Sequence, residues 1–220
     1  MMKKIILAVL LCGALITTHA QTKGSGKLVK RSYAFSGFDK VEVEDLDGRI
    51  DIEIGPKWSI SAVVDDNLLA LLAFEENPKE HALKVLFQGN RKNKMYIEDT
   101  NVRIKITMPE ASVIKNNSNA VIEVKNIFGR YIRLENIENG QIKASGQVDS
   151  LDVTSSGNGT VSAGALKAQK ADVKTSGNGN TLVCAEQKIT AKVSGNGNIK
   201  NIGKAKYGSD STRTGNGNLY

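Results

Sequence analysis

The residues of this sequence that could carry out chemistry are three aspartates, Asp152, Asp172 and Asp210, which recur at equivalent places before a repeated turn. Carboxylates that converge on one face of neighbouring strands can cleave glycosidic bonds. Thr190 interrupts the series, and acids that flank strands on a solvated face explain the pattern more simply. A carbohydrate-active enzyme, either a polysaccharide lyase or a hydrolase, is therefore an alternative function, and no catalytic residue is assigned.

Three other features resemble reactive sites only locally. Gly-x-Gly occurs in four turns, as in Gly177-Asn178-Gly179, but a dinucleotide site needs a third glycine and a following helix. His81 lies in a polar turn, without the spacing of a nucleophile or of metal ligands. Cys184 is expected to fill apolar space. We therefore expect no cofactor and no metal.

A repeat positions these residues. Ser/Thr-Gly-Asn-Gly occurs four times, and the same period leads back to two degenerate copies. The resulting asparagines, spaced by 18–20 residues, are Asn119, Asn139, Asn158, Asn178, Asn196 and Asn216. Mostly apolar residues lie three positions after each asparagine and five positions before it. A unit of this length fits one coil of a parallel β-helix, because stacked coils bury an apolar side that one coil cannot bury alone.

The composition of the turns predicts a structural role for the asparagines. A tight corner between strands needs positive φ, which Gly adopts without cost and Asn tolerates. Asparagines stacked at the ~4.8 Å interval between strands can also hydrogen-bond to each other as a ladder. We therefore predict that Asn158, Asn178 and Asn196 hold a left-handed backbone conformation within such a ladder.

The predicted fold class is all-β, a single-stranded parallel β-helix, or solenoid, over residues 35–220. Residues 112–220 form its regular coils, and residues 35–111 form irregular β coils with a short helix. Residues 21–34 are predicted to be a flexible N-terminal segment, which follows a signal peptide over residues 1–20.

Two segments of the irregular half have specific predictions. Asp47-Gly48-Arg49-Ile50 matches the Asn-Gly-x-Ile pattern of the later corners, so it predicts a degenerate coil. Residues 67–74 are predicted to be a short apolar helix, with Asn67 as its N-cap. This helix is expected to pack on an end or flank of the solenoid, where an open sheet edge needs a cover.

Residues 1–20 have the three-part layout of a secretory signal peptide. Lys3 and Lys4 form the positive region, an apolar run follows, and Thr18-His19-Ala20 ends in a small residue. The apolar run is shorter than the ~20 residues of a transmembrane helix. We therefore expect no transmembrane span in the mature chain, and a location in the periplasm, at the outer membrane or on the cell surface.

The positive charge of the mature chain is concentrated in its C-terminal half. Residues 21–111 carry 14 basic and 15 acidic residues, whereas residues 112–220 carry 14 basic and 8 acidic residues. An exported basic surface is better suited to anionic polysaccharide or another cell-envelope component than to nucleic acid. Lys115, Lys174 and Lys192 each lie four residues before a corner asparagine, so they are the candidate polyanion contacts. Solubility alone is the simpler alternative.

Three features in order resemble the head-GIN-domain family, described as putative auto-transporter adhesins. Residues 38–43 (FDKVEV) are followed by residues 65–69 (DDNLL), and residues 102–109 (VRIKITMP) precede the serial Ser-Gly-Asn-Gly units. Family members often have Ser-Gly-Ser-Gly in those units, so Asn at the corner is a departure. The resemblance runs from about residue 35 to residue 220. It implies an exported β-solenoid of mainly Gram-negative bacteria, without known active-site residues.

These observations lead to three hypotheses about function. The leading one is a non-enzymatic exported solenoid that presents a repetitive basic face for adhesion or cell-envelope attachment. The second is the carbohydrate-active enzyme. The third is a purely structural periplasmic protein without a ligand.

The signal-peptide interpretation predicts cleavage between Ala20 and Gln21, because the small-residue site ends there. The intact mass of protein purified from the cell envelope should correspond to a chain that begins at Gln21. A retained N-terminus or a lipid on Cys12 would contradict this prediction.

Overall fold

The computed structural model describes residues 21–88, 96–98 and 100–220, so the predicted signal peptide lies outside the described residues. Strands form almost all of the regular structure. Those of the N-terminal half are β1 (Gln21–Lys23), β2 (Leu28–Tyr33), β3 (Lys40–Glu44), β4 (Arg49–Ile54), β5 (Ser59–Asp65), β6 (Leu72–Asn77), β7 (Ala82–Phe87), β8 (Tyr96–Glu98) and β9 (Arg103–Met108). Those of the C-terminal half are β10 (Val113–Asn117), β11 (Val121–Asn136), β12 (Gln141–Gly157), β13 (Thr160–Gly177), β14 (Thr181–Gly195), β15 (Ile199–Asn201) and β16 (Thr212–Gly215).

The repeat folds into a parallel β-solenoid of about five turns, which confirms the predicted fold class. Each of the strands β11 to β14 runs through most of one coil, and each pairs in parallel with the next. The register between neighbours shifts at a few points, for example between Ala163 and Lys167 of β13. Such irregularities bend a strand locally, so one continuous strand can follow more than one side of its coil.

The apolar residues that flank the corners stack in columns inside the solenoid. The residues three positions after each asparagine are neighbours in register: Ile122, Ile142, Val161, Thr181, Ile199 and Leu219. Thr181 is the polar member of this column, and it is buried. Its hydroxyl lies 2.9 Å from the hydroxyl of Thr175, so the interior satisfies this polar group without water.

The corners differ from the prediction in which residue has positive φ. It is the first glycine of each Ser/Thr-Gly-Asn-Gly unit: Gly157 (+91°), Gly177 (+105°), Gly195 (+106°) and Gly215 (+97°). Asn158, Asn178 and Asn196 are not among the residues with positive φ, so their predicted left-handed conformation is wrong. Glycine has no Cβ and takes this conformation at lower cost than asparagine. The asparagine backbone is therefore unstrained, and its side chain makes the contacts described below.

The second glycine of each corner is required by the close approach of neighbouring coils. A Cβ built on Gly179 would lie 1.8 Å from the carbonyl oxygen of Gly159, and one built on Gly217 would lie 1.9 Å from that of Gly197. Real Cβ atoms essentially never come within 3.0 Å of such an atom. Any side chain at this position would therefore push two coils apart.

The degenerate coil predicted at residues 47–50 is present. β4 pairs in parallel with the start of β11, so that Arg49 lies opposite Val121 and Ile50 lies opposite Ile122. β3 pairs in parallel with β10 in the same way. The first half of the chain therefore continues the parallel stack of the second half.

Antiparallel strands cover the N-terminal end of this stack. β6 pairs antiparallel with β7, and β5 pairs antiparallel with both β9 and β2. These pairings occupy edge backbone groups that would otherwise recruit other chains. A 3₁₀ helix over Asp66–Leu71 joins β5 to β6 and buries Leu68.

The helix predicted over residues 67–74 is therefore shorter and placed differently. Its N-cap position is Asp65 instead of Asn67, and the chain from Leu72 onward belongs to β6. The Asn67 amide instead donates from Nδ2 to the Lys23 carbonyl, at 2.7 Å. A short continuous apolar run fits a buried strand as well as a helix, which is why its pattern did not separate the two.

The N-terminal segment over residues 21–34 contains strands that the sequence did not indicate. β1 pairs in parallel with β8, and β2 pairs antiparallel with β5. Asp65 helps to fix this segment, because its buried carboxylate accepts hydrogen bonds from the backbone N–H groups of Gly26 and Asn101, both at 2.8 Å.

Replacing Gly177 by alanine should destabilise the protein strongly. An L-residue at a φ of +105° costs ~1–2 kcal/mol, and the new Cβ would lie 2.4 Å from the Gly157 carbonyl oxygen. We expect the free energy of unfolding to fall by roughly 2–4 kcal/mol and the melting temperature by several degrees. Gly129→Ala is the matched control, since a Cβ there meets nothing within 4 Å. Equal melting temperatures for the two variants would contradict this account of the corners.

Candidate functional site

The six corner asparagines form one continuous hydrogen-bonded ladder on the outside of the solenoid. The Nδ2 atom of each asparagine donates to the Oδ1 atom of the asparagine in the preceding coil. The bonds are Asn139 to Asn119 (3.2 Å), Asn158 to Asn139 (2.9 Å), Asn178 to Asn158 (2.7 Å), Asn196 to Asn178 (2.8 Å) and Asn216 to Asn196 (3.1 Å). All run in the same direction, so each inner asparagine both donates and accepts. These exposed side chains therefore bond along the solenoid axis and link its coils.

A second, shorter ladder lies two residues further along, and sequence reasoning missed it. Asn198 donates from Nδ2 to the Oδ1 atom of Asn180 at 2.8 Å, and the backbone N–H of Asn218 donates to the Oδ1 atom of Asn198 at 2.9 Å. The signal was available in the sequence, because each of the last three corners reads Gly-Asn-Gly-Asn. Two parallel rows of amides therefore fix the spacing of the last coils.

Five exposed lysines stand in two columns on the outward side that precedes the corners, and we call them the lysine face. Lys170, Lys188 and Lys206 form the first column, and Lys174 and Lys192 form the second. Lys170 pairs in register with Lys188, and the bridge between the next residues, Ile189 and Tyr207, places Lys206 beside Lys188. Neighbouring lysines of one column are thus about 4.8 Å apart at the backbone.

Two aspartates, Asp172 and Asp210, lie between the two columns of five lysines. Asp172 pairs with Lys174 at 3.6 Å, and both side chains are about half exposed. An exposed pair of this kind contributes ~0–1 kcal/mol. The Asp210 carboxylate accepts a hydrogen bond from the Thr190 hydroxyl at 3.2 Å. The other four lysines form no ion pair within the described residues.

The structure separates Lys115 from the other two predicted contacts. Lys115 belongs to the column of Lys174 and Lys192, but Glu135 and Thr154 lie between them. Its register neighbours are Glu42 and Glu135. Two of the three candidate lysines are therefore adjacent, and Lys115 has acidic neighbours instead.

Charges in the N-terminal half are arranged in the opposite way. Lys84 on β7 lies 3.9 Å from Glu42 and 3.0 Å from Glu44 on the neighbouring β3. Lys105 on β9 lies 3.2 Å from Glu53 on β4. These pairs place opposite charges on neighbouring strands, although Arg49 and Arg103 of the same half are register neighbours. In the lysine face, like charges stack along whole columns.

The aspartates that could serve a glycosidase are only partly brought together. Asp152 and Asp172 are direct register neighbours on β12 and β13, but Asp172 is followed by Thr190 in the next coil. The Tyr131 hydroxyl donates to the Asp152 carboxylate at 2.9 Å, and burial, with this carboxylate, raises the Tyr131 pKa above its usual value. Each of the two adjacent carboxylates therefore already has a partner.

The remaining reactive residues occupy structural positions. Nδ1 of His81 donates to the Gly37 carbonyl at 3.1 Å, and His81 has a φ of +53° in a turn. Cys184 is buried, which raises the pKa of its thiol. The described residues contain no group of three or more His, Cys, Asp or Glu side chains that could hold a metal ion. Nor does this part of the chain contain a helix with the length and apolar character needed to cross a membrane.

Comparisons with known proteins agree with this geometry. The sequence model of a family described as "putative auto-transporter adhesin, head GIN domain" matches residues 37–205. A crystal structure of a putative adhesin from Bacteroides fragilis superposes with a TM-score of 0.69, at 20% identity, over 90% of this chain and 98% of that one. A putative adhesin from Parabacteroides distasonis gives 0.57, at 18% identity, over 91% and 99%. No curated protein matches the sequence.

The ladder predicts that an inner asparagine stabilises the fold more than the last one. Asn178→Ala removes two ladder bonds, whereas Asn216→Ala removes one. A hydrogen bond contributes ~0.5–1.5 kcal/mol net, so we expect Asn178→Ala to lower the free energy of unfolding by about twice as much. Chemical unfolding of both variants would measure this difference. Equal losses would contradict the dependence on the number of ladder bonds, and no loss in either variant would mean that the asparagines are structurally idle.

Proposed function

Since the chain belongs to the "putative auto-transporter adhesin, head GIN domain" family, we propose that it is a non-enzymatic exported adhesin that binds anionic polysaccharide on its lysine face. The family supports an adhesin-like role, and the columns of lysines supply the chemistry for a polyanion. The cell envelope offers such polymers to an exported protein, in the periplasm, at the outer membrane or on the cell surface.

The stacking of like charges is the observation that carries this proposal. Two unit charges at 4–5 Å repel by ~1 kcal/mol in water, so a column of lysines lowers stability slightly unless an anion lies on it. Elsewhere the same chain places Glu beside Lys on neighbouring strands. The lysine face therefore has an arrangement that folding alone does not favour but a bound polyanion does.

The spacing of the lysines favours a polymer that lies along the solenoid axis. Such a chain meets a new lysine at every coil, ~4.8 Å further along, whereas a chain across the coils meets Lys170 and Lys174 at ~13 Å. The closer spacing suits a polysaccharide with an acid group on every sugar, such as a polyuronate. The asparagine ladders support this mode of binding, because they hold the coils at a fixed interval.

The adjacent pair Asp152 and Asp172 keeps the carbohydrate-active enzyme as a second candidate. Side-by-side carboxylates are the arrangement that retaining glycosidases use. An enzyme would release reducing ends or unsaturated products from an acidic polysaccharide, and Asp152→Asn or Asp172→Asn would abolish that release. Product that disappears in these variants would overturn the non-enzymatic proposal.

Charge reversal on the lysine face should weaken binding of polygalacturonate, used as the probe. The double variant Lys170→Glu/Lys188→Glu removes two attractive contacts and adds two repulsive ones, each ~0.2–1 kcal/mol, so we expect roughly tenfold weaker binding. Lys57→Glu/Lys79→Glu makes the same change in net charge at exposed positions of the N-terminal half, and it should leave the affinity nearly unchanged.

The salt dependence of this binding provides a second measurement. The screening length falls from ~10 Å at 0.1 M to ~3 Å at 1 M salt, so the dissociation constant of the unmodified protein should rise steeply. Equal weakening by both double variants would mean that net charge, not the lysine face, attracts the polymer. Absence of binding at low salt would favour the purely structural alternative.

A further inference from the structure

We call each asparagine of the ladder a rung. Five of the six rungs are followed directly by glycine in the sequence: Asn139, Asn158, Asn178, Asn196 and Asn216. Asn-Gly is the dipeptide in which asparagine most readily loses its side-chain amide, because glycine offers no steric barrier to ring closure. From the unequal hydrogen bonding of these five sites, we propose that Asn216 is a spontaneous deamidation site and that the ladder protects the other four.

The reaction needs only water. The backbone nitrogen of the glycine loses its proton and attacks the Cγ atom of the asparagine side chain. A C–N bond forms, ammonia leaves, and a five-membered succinimide ring results. Water then opens the ring at either carbonyl, which gives aspartate or isoaspartate. The net change is the replacement of a side-chain NH₂ group by OH.

At the inner rungs this attack is opposed by three hydrogen bonds. At Asn178 the side chain donates to Asn158 and accepts from Asn196, so Cγ is held facing along the ladder. The attacking nitrogen, that of Gly179, donates its hydrogen to the Gly157 carbonyl at 3.2 Å. Deprotonation and rotation therefore require two coils to separate first.

Asn216 has fewer constraints than the inner rungs. It donates to Asn196, but within the described residues nothing donates to its Oδ1 atom. The Asn216 and Gly217 N–H groups both donate to the Gly195 carbonyl at 2.9 Å, as the equivalent groups of the inner corners do. Within the described residues, however, β16 pairs with one strand only, β14. Opening at Asn216 therefore breaks bonds to one neighbouring coil, whereas opening at Asn178 breaks bonds to two.

Local sequence does not explain the difference that we expect. Residues 177–180, 195–198 and 215–218 all read Gly-Asn-Gly-Asn, so the three asparagines have the same immediate neighbours. In an unfolded chain they should react at similar rates. Only the fold distinguishes Asn216 from Asn178 and Asn196.

Deamidation at Asn216 would change the last coil. Aspartate replaces a neutral rung with a negative charge and removes the donor to Asn196. Isoaspartate in addition inserts a carbon atom into the main chain, which shifts the residues that follow out of register. The bridge from Leu219 to Ile199 would then be lost.

The test is incubation of the folded protein at mildly alkaline pH in heavy-oxygen water, followed by peptide mapping. We expect oxygen incorporation at Asn216 at least about tenfold faster than at Asn178 or Asn196, which corresponds to ~1.4 kcal/mol of difference in opening. In denaturant the three rates should become similar. Equal rates in the folded protein, or faster reaction at an inner site, would overturn the proposal.

Two variants sharpen this experiment. Arg213→Ala removes the 2.8 Å hydrogen bond from Arg213 to the Oδ1 atom of Asn218, so it should loosen the last segment and speed reaction at Asn216 alone. Asn216→Gln should abolish incorporation in that peptide and leave the inner sites unchanged. An Arg213→Ala variant that accelerates all three sites equally would show that they open together, against the proposal.

Discussion

The structure depends on one constraint: at the corner, the main chains of successive coils approach so closely that no Cβ fits between them. Gly159 and Gly179 meet there, with room only for hydrogen atoms. This contact fixes how far each coil lies from the next and in which register. Within each corner, the asparagine between its two glycines then lies at strand spacing from the asparagine of the next coil. The side-chain amides can therefore hydrogen-bond to each other along the whole stack. Glycine thus sets the geometry, and asparagine adds hydrogen bonds to it.

A fixed register makes every outward position part of a column. Whatever residue recurs at one place of the repeat is multiplied along the solenoid, at ~4.8 Å intervals. Some columns place opposite charges side by side, as with Glu42 and Lys84, and contribute modest ion pairs. In the lysine face the columns repeat the same sign, as with Lys170 and Lys188. One architecture therefore accommodates both a surface of ion pairs and a face in which lysines outnumber the acids between them.

The sequence predicted the parts of this structure that repeat. The period of the asparagines identified the coils, and the apolar flanks identified the stacked interior, including the degenerate coil at residues 47–50. The sequence did not show which corner residue has positive φ, because glycine and asparagine both tolerate that conformation. The antiparallel strands at the N-terminal end occur once, so no periodicity marked them. The column of Lys170, Lys188 and Lys206 was not predicted: Lys170 and Lys188 lie eight residues before their asparagines, but Lys206 lies ten before its own, so the repeat does not align all three.

The same regularity bears on the kind of ligand that suits this fold. An active site needs groups that converge on one reacting bond, and a column of exposed lysines does not provide that. A repeating polymer, by contrast, presents the same group at each step, so each coil can make the same weak contact. Weak contacts joined through one chain raise the effective concentration of each next contact. Affinity can therefore grow with the number of coils engaged, which fits an adhesin built from a repeat better than it fits a catalyst.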